Sequence, residues 1–353
     1  MKLFAYYLPQ FHEIEENNKW WGKGFTEWTN VKKARPLYKG HNQPQIPLNE
    51  NYYSLENIET LKWQQQLLEY YKMDGLIFYH YYFKGKKLLE KPAEMLLNNK
   101  NIDIDYFFCW ANHTWKKSWE GSSEILIEQV YGRKEDWEEH FKYLLPFFKD
   151  IRYQKRKNRP ILMVFKSDFK EKNDIFEYFN ERCKQEGFEG ICIIETRKEE
   201  INTENLNNNY MNLVHIREPD NIQVKFMRKI KNIPYRIINK IKRVLLKFNL
   251  KFVMKYNGDK FLKLMCKQYE HKENTIRGLF FEWDNTPRHS YRGCVIYPIK
   301  KKTFFRYMNL LKDEEYLFIN AWNEWAEGMM LEPTEKNGYK YLEWIKEWKE
   351  KNS

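Results

Sequence analysis

Two carboxylates and two tryptophans stand close together late in the sequence, in the stretch Trp-Asn-Glu-Trp-Ala-Glu-Gly at residues 322–328. The stretch follows an apolar run at 316–321, which has the length of a buried strand. Carboxylate pairs break glycosidic bonds and aromatic faces hold sugar rings, so Glu324 and Glu327 favour carbohydrate chemistry. The alternative is the start of a surface helix, where acidic residues interact favourably with the helix dipole. This stretch alone leaves both interpretations open.

Eight short apolar runs could form the strands that position this stretch. Helical patterns at 55–71, 92–97, 135–148, 176–185 and 339–349 separate or follow them. Strands alternating with helices predict an α/β protein of the (β/α)8 TIM-barrel type, with a long loop after strand 1 and a basic helical insertion after strand 6. A doubly wound sheet is the alternative. The predicted strands are residues 2–8, 76–83, 106–110, 160–165, 190–195, 213–216, 278–281 and 316–321.

A barrel of this type carries its functional residues at the C-terminal ends of the strands. Polar and aromatic side chains cluster near these ends, and their repetition favours an active site. The candidates are Tyr6, Tyr7, Gln10, His12, Trp21, Lys23, Glu27 and Trp28 in strand 1 and its loop; Tyr79 and His80 on strand 2; Trp110, Asn112, His113 and Trp115 at the end of strand 3; Glu282, Trp283 and Asp284 after strand 7; and Trp322, Asn323, Glu324 and Glu327 after strand 8.

Several of these candidates have a structural alternative. Glu27 could bind substrate, or it could cap its loop or form a salt bridge. Some of the tryptophans are expected to be buried in the core. Neighbouring residues such as Tyr6 and Tyr7 point to opposite faces of a strand, so they cannot both face the barrel interior.

A metal site is not predicted. His12, His80 and His113 lack the helical spacing of a zinc site, and the five cysteines show no paired pattern. These histidines are expected to bind sugar hydroxyls or to lie in the core. We therefore expect no metal and no cofactor.

The 353 residues exceed the usual size of a single core, yet α/β barrels of this length form one domain, which we expect over 1–353. The N-terminal residues read as a first strand and not as a signal peptide, and no run is long enough to span a bilayer. Unpaired cysteines fit a reducing compartment. The expected location is the cytoplasm, with contact to the inner face of the membrane as a further hypothesis.

The net charge of +12 is concentrated in one segment, at 221–258, which has eleven Lys or Arg and no Asp or Glu. The rest of the chain is close to balanced and shows no nucleic-acid-binding signature, so no nucleic-acid partner is expected. Within 222–256, apolar residues alternate with basic ones, as in helices that lie on anionic membranes. The alternative is a solvated helical hairpin that covers the barrel.

Several motifs carry a family resemblance that covers nearly the whole chain. They are residues 6–12, 20–31, 79–83, 109–112, 283–288, 318–328 and 331–333. In these motifs the sequence resembles the WbsX-type proteins of bacterial polysaccharide clusters, which are similar to glycoside hydrolase family 99. WbsX-type proteins are usually described as glycosyltransferases or lipopolysaccharide biosynthesis proteins. The resemblance implies an oligosaccharide or lipid-linked glycan as substrate.

The resemblance also implies a mechanism, because family 99 enzymes are retaining endo-acting α-mannosidases with two glutamates in a motif like 323–328. Glu324 would act as the base on the sugar 2-hydroxyl, giving a 1,2-anhydro sugar. Glu327 would act as general acid to the leaving oxygen and then as general base. Hydrolysis and transfer both remain open, and the alternative from another class is a non-catalytic glycan-binding scaffold.

The two glutamates need different protonation states. Packing against Trp322 or Trp325 should raise the pKa of Glu327, while donors such as Asn323 should keep Glu324 ionised. The sequence departs from the family pattern after strand 3, where His113 replaces a carboxylate. It also departs at 217–220, which leads into the basic segment.

Overall fold

Eight parallel strands form a closed barrel in the computed structural model of the protein, which describes residues 1–117, 124–200, 206, 209–229 and 232–352. Each strand pairs in parallel with its sequence neighbours, and the barrel closes where the first strand pairs with the last, with Lys2 opposite Tyr316. The predicted (β/α)8 barrel is therefore confirmed. Strands β1 to β8 are Lys2–Tyr7, Gly75–Phe83, Tyr106–Trp110, Arg159–Val164, Cys192–Arg197, Met211–Ile216, Thr275–Phe280 and Tyr316–Asn320.

Aromatic side chains fill the barrel interior. Phe107 on β3 lies 5.2 Å from Phe4 on β1 and 5.6 Å from Phe318 on β8, measured between ring centroids. Tyr6 stacks on Tyr79 one layer higher, with 5.4 Å between ring centroids. Because side chains alternate along a strand, every second residue contributes to this core. The barrel is thus a packed core that supports the site at its upper end.

Helices on the outside of the barrel carry the chain from strand to strand. Helices α1 to α12 are Glu15–Trp21, Glu27–Lys33, Ile58–Tyr70, Lys91–Asn98, Lys134–Phe148, Lys172–Gln185, Asp220–Arg228, Ile233–Lys247, Gly258–Gln268, Thr286–His289, Lys301–Leu310 and Lys340–Lys351. The helical patterns predicted from the sequence correspond to α3, α4, α5, α6 and α12. Short 3-10 turns lie at Leu48–Glu50, Ser290–Arg292 and Trp325–Glu327.

Short strands extend some of the connections. They are Lys86–Leu88, Trp115–Lys116, Ile125–Ile127, Lys155–Arg156, Met254–Asn257, Trp283–Asp284, Cys294–Tyr297, Asn323–Glu324 and Met329–Met330.

The long segment after β1 is folded and anchored to the exit of β8. It contains α1 and α2, and Trp28 on α2 is buried against Phe11, Tyr53 and Trp325. The Trp28 indole nitrogen donates to the Tyr53 carbonyl oxygen over 2.7 Å. This packing fixes the neighbouring Glu27 at the barrel mouth.

The basic insertion predicted at 221–258 contains most of α7, all of α8 and the strand Met254–Asn257, and α9 begins where it ends. Its strand pairs in parallel with Cys294–Tyr297, which follows β7. Lys242 on α8 is buried and donates to the Gly293 carbonyl oxygen over 2.6 Å. The insertion is therefore attached to the loop after β7. None of the helices in the described residues is long and apolar enough to cross a bilayer.

Candidate active site

A small hairpin after β8 presents the two glutamates. Glu324 ends the strand Asn323–Glu324, which pairs antiparallel with Met329–Met330, and Glu327 lies in the 3-10 turn between them. The turn closes at Gly328, whose φ of 59° is strained for other residues. A Cβ there would also lie 3.0 Å from the backbone nitrogen of Asp284. The local sequence thus fixes the turn that carries the carboxylates.

Asn323 ties this hairpin to the end of β1. Its side-chain oxygen accepts from the Leu8 amide over 2.7 Å, and its side-chain nitrogen donates to the Leu8 carbonyl oxygen over 3.1 Å. The same nitrogen donates to the Tyr53 hydroxyl, which in turn donates to Glu332. Glu332 also accepts from the Trp325 indole over 2.7 Å. A buried polar network therefore holds the hairpin from below.

Arg288, on the short helix α10, is the centre of the candidate site. Its guanidinium lies 2.6 Å from a Glu27 carboxylate oxygen and 3.2 Å from a Glu324 oxygen, and it also donates to Glu327. The Glu327 carboxylate accepts a second hydrogen bond, from the Trp283 indole, over 3.0 Å. Three carboxylates thus share one buried guanidinium.

The charges of this cluster are strongly perturbed. Burial raises the pKa of Glu324 to about 8; Arg288 opposes this shift, while Glu327 and Glu27 add to it. Burial also raises the pKa of Glu27, again against the effect of Arg288. Burial lowers the pKa of Arg288, but the three carboxylates outweigh it and hold that pKa well above the usual value. The cluster keeps a fixed cation beside carboxyls that bind protons tightly.

The sequence-based explanation of how Glu324 and Glu327 would differ in protonation state is wrong. The Asn323 side chain forms its hydrogen bonds with Leu8 and Tyr53 and not with the Glu324 carboxylate. The indole that reaches Glu327 belongs to Trp283 and not to Trp322 or Trp325. Burial and the shared Arg288 guanidinium set the state of Glu324.

A cavity of about 490 Å³ lies over the barrel mouth, with the carboxylates at its floor. Eight predicted site residues line it, namely Gln10, Trp21, Tyr79, His113, Trp115, Trp283, Glu324 and Glu327. Its other charged or aromatic lining residues, which were not predicted, are Tyr81, Lys116, Phe165, Arg217, Asp220 and Arg288. Its size and mixture of rings and polar groups are typical of a site for a small ligand or part of a glycan.

A second charged group lies on the β6 side of this cavity. The Arg217 guanidinium lies 4.4 Å from the Phe165 ring centroid and 2.7 Å from an Asp220 carboxylate oxygen. His113 packs beside the same ring, and burial, with help from Arg217 and Lys166, lowers its pKa to about 4. His113 is therefore a neutral hydrogen-bonding group where the family pattern has a carboxylate.

Two predicted residues face away from the cavity because of strand alternation. The Tyr7 hydroxyl donates to the Gln64 side chain on α3 over 2.9 Å. His80 lies outside the barrel, with its Nε2 2.9 Å from Nε2 of His140 on α5, and burial lowers its pKa to about 3. The inward positions next to His80 are Tyr79 and Tyr81, which both line the cavity.

The remaining predicted residues do not line the cavity. Asp284 binds His41 and Gln43 of the long loop, over 2.7 and 2.8 Å, and Glu282 accepts from Tyr341 on α12. Asn112 joins its loop to the Lys166 backbone. Tyr6, His12, Trp28, Trp110, Trp322 and Asn323 are buried in the packed interior, Glu27 is buried behind Arg288, and Lys23 is exposed.

No group of three or more His, Cys, Asp or Glu side chains is arranged to hold a metal ion within the part of the chain that the structure describes. The space among the three glutamates is taken by the Arg288 guanidinium.

A closed (β/α)8 barrel with buried carboxylates under an aromatic cavity has the architecture of a barrel enzyme. A family model described as glycosyltransferase WbsX matches residues 3–345. The chain belongs to this family, and the resemblance to WbsX-type proteins seen in its motifs is confirmed.

Curated relatives and solved structures resemble the chain over most of its length. An uncharacterized protein named WxcX from Xanthomonas campestris pv. campestris (strain B100) is 29 % identical over 366 residues, which cover 97 % of this chain and 48 % of that protein. WxcX of strain ATCC 33913 gives the same values. The chain thus spans about half the length of the curated relatives that it matches.

Among solved structures, a glycoside hydrolase-like protein has a TM-score of 0.58 at 10 % identity, covering 98 % of this chain and 93 % of that one. The family 99 endo-α-mannosidase from Bacteroides thetaiotaomicron has a TM-score of 0.54 at 11 % identity, covering 99 % and 97 %. At these identities the likeness concerns the fold.

Proposed function

We propose that the protein cleaves or transfers α-linked, mannose-like units of a bacterial cell-surface polysaccharide, such as an O-antigen or capsule, using Glu324 and Glu327. The observation that carries this proposal is the carboxylate cluster around Arg288 at the floor of an aromatic cavity. Aromatic faces suit sugar rings, and paired carboxyls can exchange protons with sugar oxygens.

In the proposed first step, Glu324 takes the proton of the sugar 2-hydroxyl, and the freed oxygen attacks the anomeric carbon. The bond from that carbon to the leaving oxygen breaks, and Glu327 gives its proton to the leaving oxygen. In the second step, water or another sugar hydroxyl opens the 1,2-anhydro ring and Glu327 takes its proton. Glu324 then returns its proton to the 2-oxygen, so both carboxyls end as they began.

Side-chain exposure supports this division of roles, and the pKa of Glu324 sets the pH range in which it can operate. Burial raises that pKa to about 8, so the carboxylate that acts as the base forms only as the pH approaches 8, and the rate should rise over that range. The Glu327 side chain is 27 % exposed against 11 % for Glu324, so Glu327 is the one better placed for a departing or arriving group. Arg288 contacts both and can balance negative charge as protons move.

The test compares wild type with Glu324→Gln and Glu327→Gln on α-linked oligosaccharides from the organism's own surface polysaccharide, with products read by mass. Each Gln variant should lose about 100- to 10,000-fold in rate, the usual contribution of a proton-transfer group. Glu189→Gln, at an exposed position, is the matched control and should keep the wild-type rate. Reaction in ¹⁸O-water labels the product only if hydrolysis occurs.

Identical products from wild type and both Gln variants would rule out the assignment. Binding of the oligosaccharides by wild type without any turnover would support a glycan-binding scaffold instead.

A further inference from the structure

Helix α8 exposes a stripe of apolar side chains. Ile237, Ile241, Val244 and Phe248 are 52, 43, 52 and 74 % exposed. Their spacing of four, three and four residues places them along one side of the helix and its C-terminal end. This set is called the α8 stripe below. Four large apolar side chains in one exposed row are more than the scattered exposure that is normal on a protein surface.

The α8 stripe is not the face by which the helix packs on the barrel. That attachment uses Lys242, which is buried and bound to the Gly293 carbonyl oxygen, and Tyr235, which stacks with Tyr256 at 6.0 Å between ring centroids. The helix is therefore already docked through one side while the stripe faces outward.

The charges around the stripe favour an anionic partner. Arg236 and Lys240 on the same helix are exposed, and so is Lys251, which follows it. From residue 221 to 258 the sequence contains no acidic residue. An apolar row beside cations suits a surface that offers both acyl chains and negative headgroups, as an anionic bilayer does.

The insertion is built onto segments that frame the candidate site. Gly293, which holds Lys242, follows the short helix that carries Arg288. Lys255 lies 3.3 Å from the Tyr38 ring centroid, and that ring stacks on His41, the partner of Asp284. A surface that covers the stripe would therefore be connected to the rim of the cavity through two short paths.

We propose that α8 binds peripherally to an anionic membrane surface through the α8 stripe and its flanking cations, and so holds the protein at the bilayer. The contact does not depend on the sugar chemistry at Glu324 and Glu327. Membrane binding would also suit a glycan substrate that is carried on a lipid. Only this link to the substrate rests on the proposed function.

The test is sedimentation of the full chain with vesicles of phosphatidylcholine alone or with 40 % phosphatidylglycerol, the latter at about 50 and 500 mM NaCl. We expect binding to the anionic vesicles, little to the neutral ones, and weaker binding at high salt. The variant Ile237→Ser/Ile241→Ser/Val244→Ser should lose at least about tenfold in partition coefficient, by loss of its apolar side chains. Arg236→Ser/Lys240→Ser should lose binding mainly at low salt.

The matched control is Tyr70→Ser/Ile151→Ser, which removes two apolar side chains that are 64 and 93 % exposed elsewhere. This control should bind like wild type. No binding by wild type, or equal binding by the triple variant, would overturn the proposal.

A second measurement needs no variant. Amide hydrogen exchange of wild type with anionic vesicles should slow in peptides from 233–252 and remain unchanged in peptides from α5 and α6. Protection elsewhere without protection at 233–252 would contradict the proposal. Sedimentation velocity gives another outcome that would contradict the proposal: a wild-type dimer that the triple variant abolishes, with no vesicle binding by either protein. The α8 stripe would then be an interface between two copies of the chain.

Discussion

Arg288 decides what the three glutamates can do. One buried guanidinium contacts Glu27, Glu324 and Glu327, so the cluster carries more formal negative than positive charge if all three ionise. Burying unpaired carboxylates is costly, and the raised pKa of Glu324 and of Glu27 is the direct consequence. Arg288 therefore allows carboxyls to be buried at the cavity floor while still limiting how far their proton affinity rises.

Replacing Arg288 with methionine should destabilise the protein by about 3–5 kcal/mol, as expected when one partner of a buried ion pair is removed. The loss should be larger at pH 8 than at pH 5, because the remaining carboxyls can be neutral at the lower pH. Urea unfolding at both pH values measures it, with the exposed Arg236→Met as control. An equal loss at both pH values would contradict this account of the cluster.

The sequence did place Glu324 and Glu327 in the site, but it did not single out Arg288. Its motif was visible, yet nothing local indicates that a residue after Pro287 on a four-residue helix is buried against three acids. His80 and Tyr81 are a second case in which the sequence did not identify the residue that faces the cavity. Their strand was predicted, but only the observed register shows which of two neighbours faces the cavity.

Among the elements, the hairpin at 323–330 is joined to the end of β1 by the side-chain amide of Asn323. Asn323 supplies both hydrogen bonds that satisfy the buried Leu8 amide and carbonyl, and it also reaches Tyr53. The hairpin is short, and these bonds act together with the backbone hydrogen bond from the Trp322 amide to the Tyr6 carbonyl oxygen to set its position relative to β1. This makes Asn323 a positioning residue for Glu324, although it does not line the cavity.

Asn323→Ala should cost about 1–3 kcal/mol for each buried group left without a partner. It should also lower the rate on the oligosaccharide substrate by at least about 100-fold, since a small displacement of a proton-transfer group is enough for this. Thermal unfolding and the mass assay measure the two effects, with the exposed Asn98→Ala as control. Full activity in Asn323→Ala would show that the clamp is not needed.

The barrel strands were predicted to within a few residues, because buried parallel strands are short continuous apolar runs. The helices α1 and α2 were missed in the segment read as a loop. Both are only seven residues long, and α2 is stabilised by distant contacts such as Trp28 with Trp325. Helix α9 was missed beside the basic segment for a similar reason, since its buried face packs on α11 and α7.

At the scale of the whole molecule, buried titratable groups set how stability changes with pH. Burial raises the pKa of Glu218 and Glu324 to about 8 and that of Glu332 to about 7. The folded protein keeps these protons above pH 4.5, where the unfolded chain loses them, so these groups reduce stability as pH rises toward 8.

Burial lowers the pKa of His80 and His215 to about 3 and of His12 and His113 to about 4. These histidines stay neutral in the folded protein where the unfolded chain protonates them, so the free energy of unfolding falls as the pH decreases below about 6.5.

Stability should therefore be greatest near pH 6–7, with an alkaline decline between about 6.5 and 8 that comes from the carboxyls alone. Glu324→Gln should make that decline smaller, because glutamine does not ionise. The difference in the free energy of unfolding should be up to about 1.4 kcal/mol for each unit by which the pKa of Glu324 is raised. Denaturant unfolding of wild type and variant at pH 6.5, 7.5 and 8.5 tests this, with Glu189→Gln as control. Parallel curves for wild type and Glu324→Gln would contradict it.

The clamp between Leu8 and Asn323 also has a consequence for synthesis on the ribosome. The two residues are 315 positions apart, so the first strand emerges long before its partner exists. At ordinary translation rates of about 5–20 residues per second, that wait is on the order of tens of seconds. During this time β1 has no eighth strand to pair with. A nascent chain interrupted before Tyr316 would carry seven of the eight barrel strands but not the hairpin at 323–330, and would expose an apolar strand edge to chaperones and proteases.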